Sequence, residues 1–219
     1  MITYNDIKHN EAVGTYIKMA DKSLAALGFT EHSFAHVGLV ANRAEYILAS
    51  LGYDSHTVEL AKIAAHMHDI GNIVNRREHS QSGAVMAFRL LDNLAMPAED
   101  IATIVTAIGN HDEGTGEAVS PVAAALIIAD KSDVRRSRVR NNDLSTFDIH
   151  DRVNYSVIET DLIINNERKE ISLSLTIDTS ISPVMDYFEI FLNRMLMCKK
   201  AARALDLDFK LVINNQAIM

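Results

Sequence analysis

The sequence predicts a mainly α protein, with a helical bundle over residues 1–150 followed by a small α+β module (strand, strand, helix, strand) over residues 151–219. Three observations lead there. Apolar residues recur at three- and four-residue steps through the first two thirds of the chain. Glycine and proline fall at the ends of those periodic runs. Near residue 152 the pattern changes to β-branched stretches, and one of them, "EISLSLTID", alternates cleanly.

Residues 5–27 read as a first helix, with Ile7, Ile17, Leu24 and Leu27 apolar and Gly28 as its stop. Residues 31–51 form the next, closed by Gly52, with Val37, Val40, Ala44, Ile47 and Leu51 in step. Thr57 is the expected cap of a third helix that runs to about Ile70 and stops at Gly71. A fourth covers roughly 80–95, and Pro97 opens a fifth that ends near Gly109. Ser120-Pro121 is a cap followed by proline at the first helical position, so a sixth helix starts there and is expected to continue through "AAALIIADKSDVRRSR". "VNYSVIETDLIIN" and "EISLSLTID" then read as strands joined by a hairpin loop, "NNER". Ser182-Pro183 starts a helix whose apolar stripe includes Met185, Phe188, Phe191 and Leu192, and "FKLVIN" at 209–214 reads as a last strand. The boundary between the two parts lies in the polar stretch 139–152.

Bulk properties narrow the function. Of 219 residues, 48% are apolar and 23% charged, the balance of a soluble globular protein. The net charge of −8 argues against a general nucleic-acid binder. The single cysteine, Cys198, rules out an internal disulfide framework and suits a reducing cytosol. The start "MITYNDIKHNEAVG" has no apolar run after a basic opening, and the longest apolar run, "PVAAALIIA" at 121–129, is too short to span a bilayer. The expectation is a cytoplasmic protein with no membrane partner.

Several polar residues sit where a helix would bury them. His36 is mid-helix near the apolar face of 31–51, and His68 and Asp69 end the third helix. His79 opens the fourth helix, His111 follows the fifth, and Asp130 ends the apolar run 122–129 of the sixth. A carboxylate continuing such a run is costly unless it meets a cation or a metal. Lys131 is next to it but projects about 100° away around the helix. A lone histidine in a helix is commonly a satisfied core residue, and "HD" pairs arise by chance. Five helices that each offer an imidazole or carboxylate are a different matter, because that donor set suits a divalent transition metal. His66 lies two residues from His68, on roughly the opposite side of its helix, and reads as a bystander.

The order of these residues resembles the HD superfamily of metal-dependent phosphohydrolases. "EHSFAHVGLVANRAEYI" is similar to that family's first histidine helix, "LAKIAAHMHDIGN" to the helix with the name-giving pair, and "ALIIADKSDVRR" to the helix with the last aspartate. The resemblance implies an HD-type bundle in which His36, His68, Asp69 and Asp130 hold a first divalent metal. "HSQSGA" at 79–84 and "AIGNHDE" at 107–113 resemble the added histidine segments of the dinuclear, six-ligand branches. His79 and His111 would then hold a second ion, with Asp69 as bridge. One or two divalent ions per chain are implied, with Fe, Mn, Ni, Co and Mg as candidates. Many relatives carry "HDIGK", whereas this chain has Asn72 at the lysine position, and no "GYP" motif occurs.

Basic residues near the last aspartate complete the reading. "KSDVRRSRVR" at 131–140 holds five basic residues and one acid. Such a run also suits a solvated helix face or compensation of the helix dipole. As a phosphate site, Lys131 is the first choice, Arg135 one turn further along the same face is the second, and Arg76 borders the mouth. The resulting expectation is hydrolysis of a phosphate monoester or anhydride, in a nucleotide or other small phosphorylated substrate, by metal-activated water. Asp69 and Lys131 are the catalytic candidates. The alternatives are a metal-bound nucleotide sensor with little turnover and a diiron oxygenase of HD type. The C-terminal sheet offers an edge for self-pairing, which makes a homodimer a candidate assembly.

Overall fold

A computed structural model describes residues 2–219. The helical part comprises α1 (Tyr4–Lys8), α2 (Glu11–Ala26), α3 (Phe34–Ser50), α4 (Ser55–Met67), α5 (His79–Asn93), α6 (Ala98–Gly109) and α7 (Pro121–Lys131). The rest is α8 (Ile149–Ser156), β1 (Val157–Asn165), β2 (Glu170–Ile177), α9 (Val184–Ala204), β3 (Asp208–Ile213) and β4 (Gln216–Ala217). The mainly α architecture with a small α+β module is as the sequence predicts.

The core is organised around α7. Every residue from Val122 to Ala129 is buried, and α3, α4, α6 and α9 pack around this helix. Fully burying side chains such as Leu126, Ile127 and Ile128 contributes about 1.5–3 kcal/mol each. The sheet has the order β1-β2-β3-β4. β1 and β2 are antiparallel, β2 and β3 are parallel, and α9 makes the crossover between them. Because α9 packs on both α7 and β3, the C-terminal segment shares one continuous set of buried residues with the bundle.

Several boundaries differ from the sequence expectation, each for a local reason. The first helix is two helices, because the Asn10 side chain accepts from the backbone N–H groups of Ala12 and Val13 and starts a new one. Ser33 caps α3, so residues 31–33 stay outside it. Asp54, not Thr57, caps α4, and Thr57 instead gives its hydroxyl to Asp54 from inside the first turn. The sixth predicted helix ends at Lys131 and does not run on through the arginines. Part of the polar boundary forms α8, capped by the Asp148 side chain, so the first strand starts at Val157. On α9, Met185 and Leu192 are exposed, and the buried face is carried by Tyr187, Phe191, Met195 and Cys198. No helix among the described residues is long and apolar enough to cross a membrane.

Candidate metal centre

The elements deliver six chemically matched side chains to one buried point. His36 comes from the first turn of α3, His68 is the residue after α4, and Asp69 follows it. His79 is the first residue of α5, His111 lies two residues past α6, and Asp130 is the penultimate residue of α7. All are buried except Asp130, whose side chain is 13% exposed. Gly71 makes the arrangement sterically feasible. After Asp69 the chain tightens into a 3-10 turn over Ile70–Ile73. There the Gly71 backbone lies so close to α5 that a Cβ would meet the His79 carbonyl at 2.0 Å and the Gly83 nitrogen at 2.4 Å. That approach brings Asp69 beside His79.

The contacts form two groups joined by one carboxylate. His36 Nε2 lies 3.3 Å from His68 Nε2, 3.3 Å from Asp130 Oδ1 and 3.5 Å from Asp69 Oδ2. His68 Nε2 is 3.2 Å from Asp69 Oδ2 and 3.7 Å from Asp130 Oδ1. On the other side, His79 Nε2 is 3.4 Å from Asp69 Oδ1 and 3.1 Å from His111 Nε2. Two sets, His36-His68-Asp130 and His68-Asp69-His111, have ligand atoms close enough to share an ion, so His68 lies between the two groups.

The outward nitrogens fix which atoms face inward. Each Nδ1 meets an oxygen that can only accept: Asp133 Oδ2 at 2.7 Å for His36, the Ala65 carbonyl at 2.7 Å for His68, the Arg76 carbonyl at 3.1 Å for His79 and the Ile108 carbonyl at 2.6 Å for His111. In its neutral form each ring therefore carries its proton on Nδ1, so that four Nε2 lone pairs would converge. Asp69 Oδ2 is buried among them with no hydrogen-bond partner among the described residues. With the rings neutral, these lone pairs and the carboxylate oxygen at 3.1–3.7 Å would repel one another without a cation. A divalent ion binding at about 2.0–2.2 Å would space its ligands by about 3–3.5 Å, so the residues fit such an ion.

Burial and neighbouring charges shift the titration of these groups in opposite directions. Burial and the Arg138 charge push His36 down, yet hydrogen bonds to Asp130, Asp133 and Asp69 lift it to about 9. Burial likewise opposes protonation of His68, but the Asp69 charge and hydrogen bonds to Asp130 and Asp69 lift it to about 10. Burial dominates at His79 and His111 and pushes both down. Burial alone would raise Asp69 and Asp130, but neighbouring His68 and Lys131 hold them well below the usual carboxylate range.

Around this centre the structure places the basic residues differently from the sequence expectation. Lys131 does not project away from Asp130: its flexible stem folds back, putting Nζ 2.8 Å from Asp130 Oδ2 and 3.3 Å from Glu113 Oε1. Because α7 ends at Lys131, Arg135 is not one turn further along its face. Its guanidinium is occupied by Asp133, Glu31 and Ser137. Arg76 does border the site, with Nη1 3.3 Å from both Asn72 Oδ1 and His79 Nε2 and its guanidinium over the Phe29 ring. His66 points elsewhere and packs edge-on against Tyr4, so it stays outside the cluster.

Five residues beyond the sequence-derived set belong to the surroundings. Asp133 orients His36 and is itself held by Arg138 and Arg135. Glu113 ties Lys131 to Arg194 of α9. His32 stacks edge-on against His36. A cavity of about 400 Å³ opens beside the centre, with His32, Arg76, Arg138 and Arg194 in its wall. The spacing of Asp133 three residues after Asp130, and of His32 four before His36, was a visible signal. Arg194 has no local signal, since only the α7–α9 packing brings it there.

A family model matches the segment that carries these residues. Residues 33–135 match the model of the HD domain. A protein of Methanocaldococcus jannaschii described as uncharacterized is 26% identical over 159 residues, 63% of this chain and 61% of that protein. The chain thus spans less than two thirds of that relative's length. The crystal structure of a predicted HD superfamily hydrolase from an uncultured Thermotogales bacterium is similar at 25% identity, with a TM-score of 0.46 over 58% of this chain and 69% of that one. The matched segment, residues 33–135, contains all six clustered residues, and over that segment the chain matches the HD domain.

Proposed function

We propose that the protein is a metal-dependent phosphohydrolase that cleaves a phosphate monoester or anhydride bond in a nucleotide or related small molecule. The observation that carries the reading is the position of Asp69, one oxygen toward His36 and His68 and the other toward His79, among the inward-facing Nε2 atoms. On this reading His36, His68, Asp69 and Asp130 would hold one divalent ion, and His79 and His111 together with Asp69 would hold a second. Such ions would supply a lowered pKa for water and charge stabilisation for a phosphoryl oxygen.

The chain's own residues do the rest. Asp69 stays ionised and is braced by Asn72, whose Nδ2 donates to its carboxylate at 2.9 Å. Asp133 keeps the His36 proton on the outer nitrogen. Lys131 offsets the Asp130 charge, which leaves the centre less anionic toward an incoming phosphate. Arg76 brings a planar cationic fork to the mouth, suited to phosphate oxygens.

The test is to purify the protein without chelator and count metals per chain. Phosphate release from a nucleotide panel is then assayed with Mn, Fe, Co, Ni or Mg. Phosphate release that disappears in His68→Ala together with bound metal is the expected result. Iron-dependent oxygen uptake without phosphate release, or tight nucleotide binding without turnover under every metal, would sink it.

A further inference from the structure

Arg194 lies outside the matched HD segment, on the helix that crosses from β2 to β3, yet it lines the cavity beside the metal centre. Its environment differs from that of the other basic residues there. Lys131 is held between two carboxylates, and Arg138 is committed to the Glu31 and Asp133 carbonyls. Arg194 has one ion pair, Nε to Glu113 Oε1 at 2.8 Å, and it is not an aligned hydrogen bond, because Glu113 Oε1 has no hydrogen-bond partner among the described residues. The guanidinium is instead laid over the Phe191 ring, 4.5 Å from its centroid. Arg76 mirrors this in the same wall, with its guanidinium over Phe29. Two arginines, each supported from behind by an aromatic face, are thus presented to one cavity from two parts of the chain. Stacking leaves the N–H edge of a guanidinium free to meet phosphate oxygens in the plane of the fork.

Another part of the lining has the opposite character. Asp148, the cap of α8, and His150, Asp151 and Asn154 of that helix line the same cavity. Asp148 and Asp151 also border a neighbouring surface recess with Phe29, Arg140 and Asn141. The arginines favour an anion and the α8 carboxylates repel one. The cavity volume of about 400 Å³ leaves room for more than a phosphate group.

We propose that Arg194 is a substrate-binding residue, forming with Arg76 a two-arginine clamp for the phosphate of an organic phosphate. The remainder of that substrate lies against α8 and carries hydroxyl or amino donors for its carboxylates. This deepens the phosphohydrolase reading and rests on it for the position of the reacting phosphorus. It also gives the C-terminal segment a role: the site is incomplete without α9.

Calorimetric titration of the Mn-loaded full chain with orthophosphate and with adenosine monophosphate tests the clamp. Wild type binds both, and the nucleotide more tightly. Arg194→Gln weakens both by about tenfold or more, the loss of charge-assisted hydrogen bonds to phosphate, with metal content unchanged. Arg194→Lys restores only part, because the charge returns without the fork. Arg168→Gln, at an exposed turn between β1 and β2, changes nothing. Unaltered binding in Arg194→Gln, or no orthophosphate binding by wild type, overturns the clamp. Should Arg194→Gln unfold, a Lys variant that folds and binds like wild type overturns the requirement for the fork. Phosphate release with an unchanged KM in Arg194→Gln would remove the clamp and leave the hydrolase reading standing. Arginine-dependent phosphate binding without turnover under any metal would do the reverse.

Discussion

Asn72 donates from one amide nitrogen to both the backbone carbonyl and the Oδ1 oxygen of Asp69, each at 2.9 Å. Its own carbonyl oxygen accepts from Arg76 at 3.3 Å. The residue at the position where many relatives carry lysine is thus a brace between the central carboxylate and the arginine at the mouth. A lysine there could not accept from Arg76. Asn72→Ala should lower metal affinity by about 10–100-fold, as for other groups that orient metal ligands, while the fold is kept. Metals per chain after dialysis against graded chelator would measure this, and an unchanged profile would count against the brace.

Asp133→Asn tests the partner of His36. The amide can present its N–H₂ rather than an acceptor to Nδ1, and it loses the charge that pairs with Arg138 and Arg135. Metal retention should fall by about 10–100-fold. Metals per chain after dialysis would measure it, and an unchanged count would contradict the role of Asp133.

Gly71→Ala should be more damaging than its size suggests. The added methyl would meet backbone atoms at 2.0 and 2.4 Å, and backbone cannot swing aside as a side chain can. Forced overpacking of this kind costs about 1–3 kcal/mol or more, and here it also separates Asp69 from α5. A lowered Tm together with reduced metal content is the expected pair of results. Wild-type values of both would contradict the close approach.

The metal-free and metal-loaded proteins should respond oppositely to pH. Without metal, His36 and His68 are lifted to about 9 and about 10 from an ordinary 6.5. Groups whose folded pKa is raised contribute stability that is full below the unfolded value, so Tm should fall as pH rises from about 6.5 through 10. A divalent ion needs the same nitrogens unprotonated, so the extra stability it confers should grow across that window. Thermal melts of chelated and Mn-loaded samples over this range would show the divergence, and parallel curves would rule out proton–metal competition at these rings.

Much of the scaffold was legible because the relevant signals are local. Ser120-Pro121 marks the start of α7, and the apolar run behind Asp130 marks that helix as buried. The six clustered residues were legible as a spacing pattern. What escaped depends on packing. The stem of Lys131 returns to Asp130 because Glu113, from another element, offers a second carboxylate. The run of arginines looked like more helix, but Ser132 closes α7 by donating its hydroxyl back to the Ala129 carbonyl, and Asp133 turns to reach His36. Arg194 is set by the docking of α9 on α7, for which no short stretch of sequence speaks.

Three of the four imidazoles take their aim from a carbonyl three residues earlier in their own segment: Ala65 for His68, Arg76 for His79 and Ile108 for His111. His36 alone depends on a side chain 97 positions away. During folding, therefore, three rings are oriented as soon as their own turns close. The fourth waits for the segment after α7 to dock. A chain caught before that last event would present three rings already aimed and His36 not yet held by Asp133.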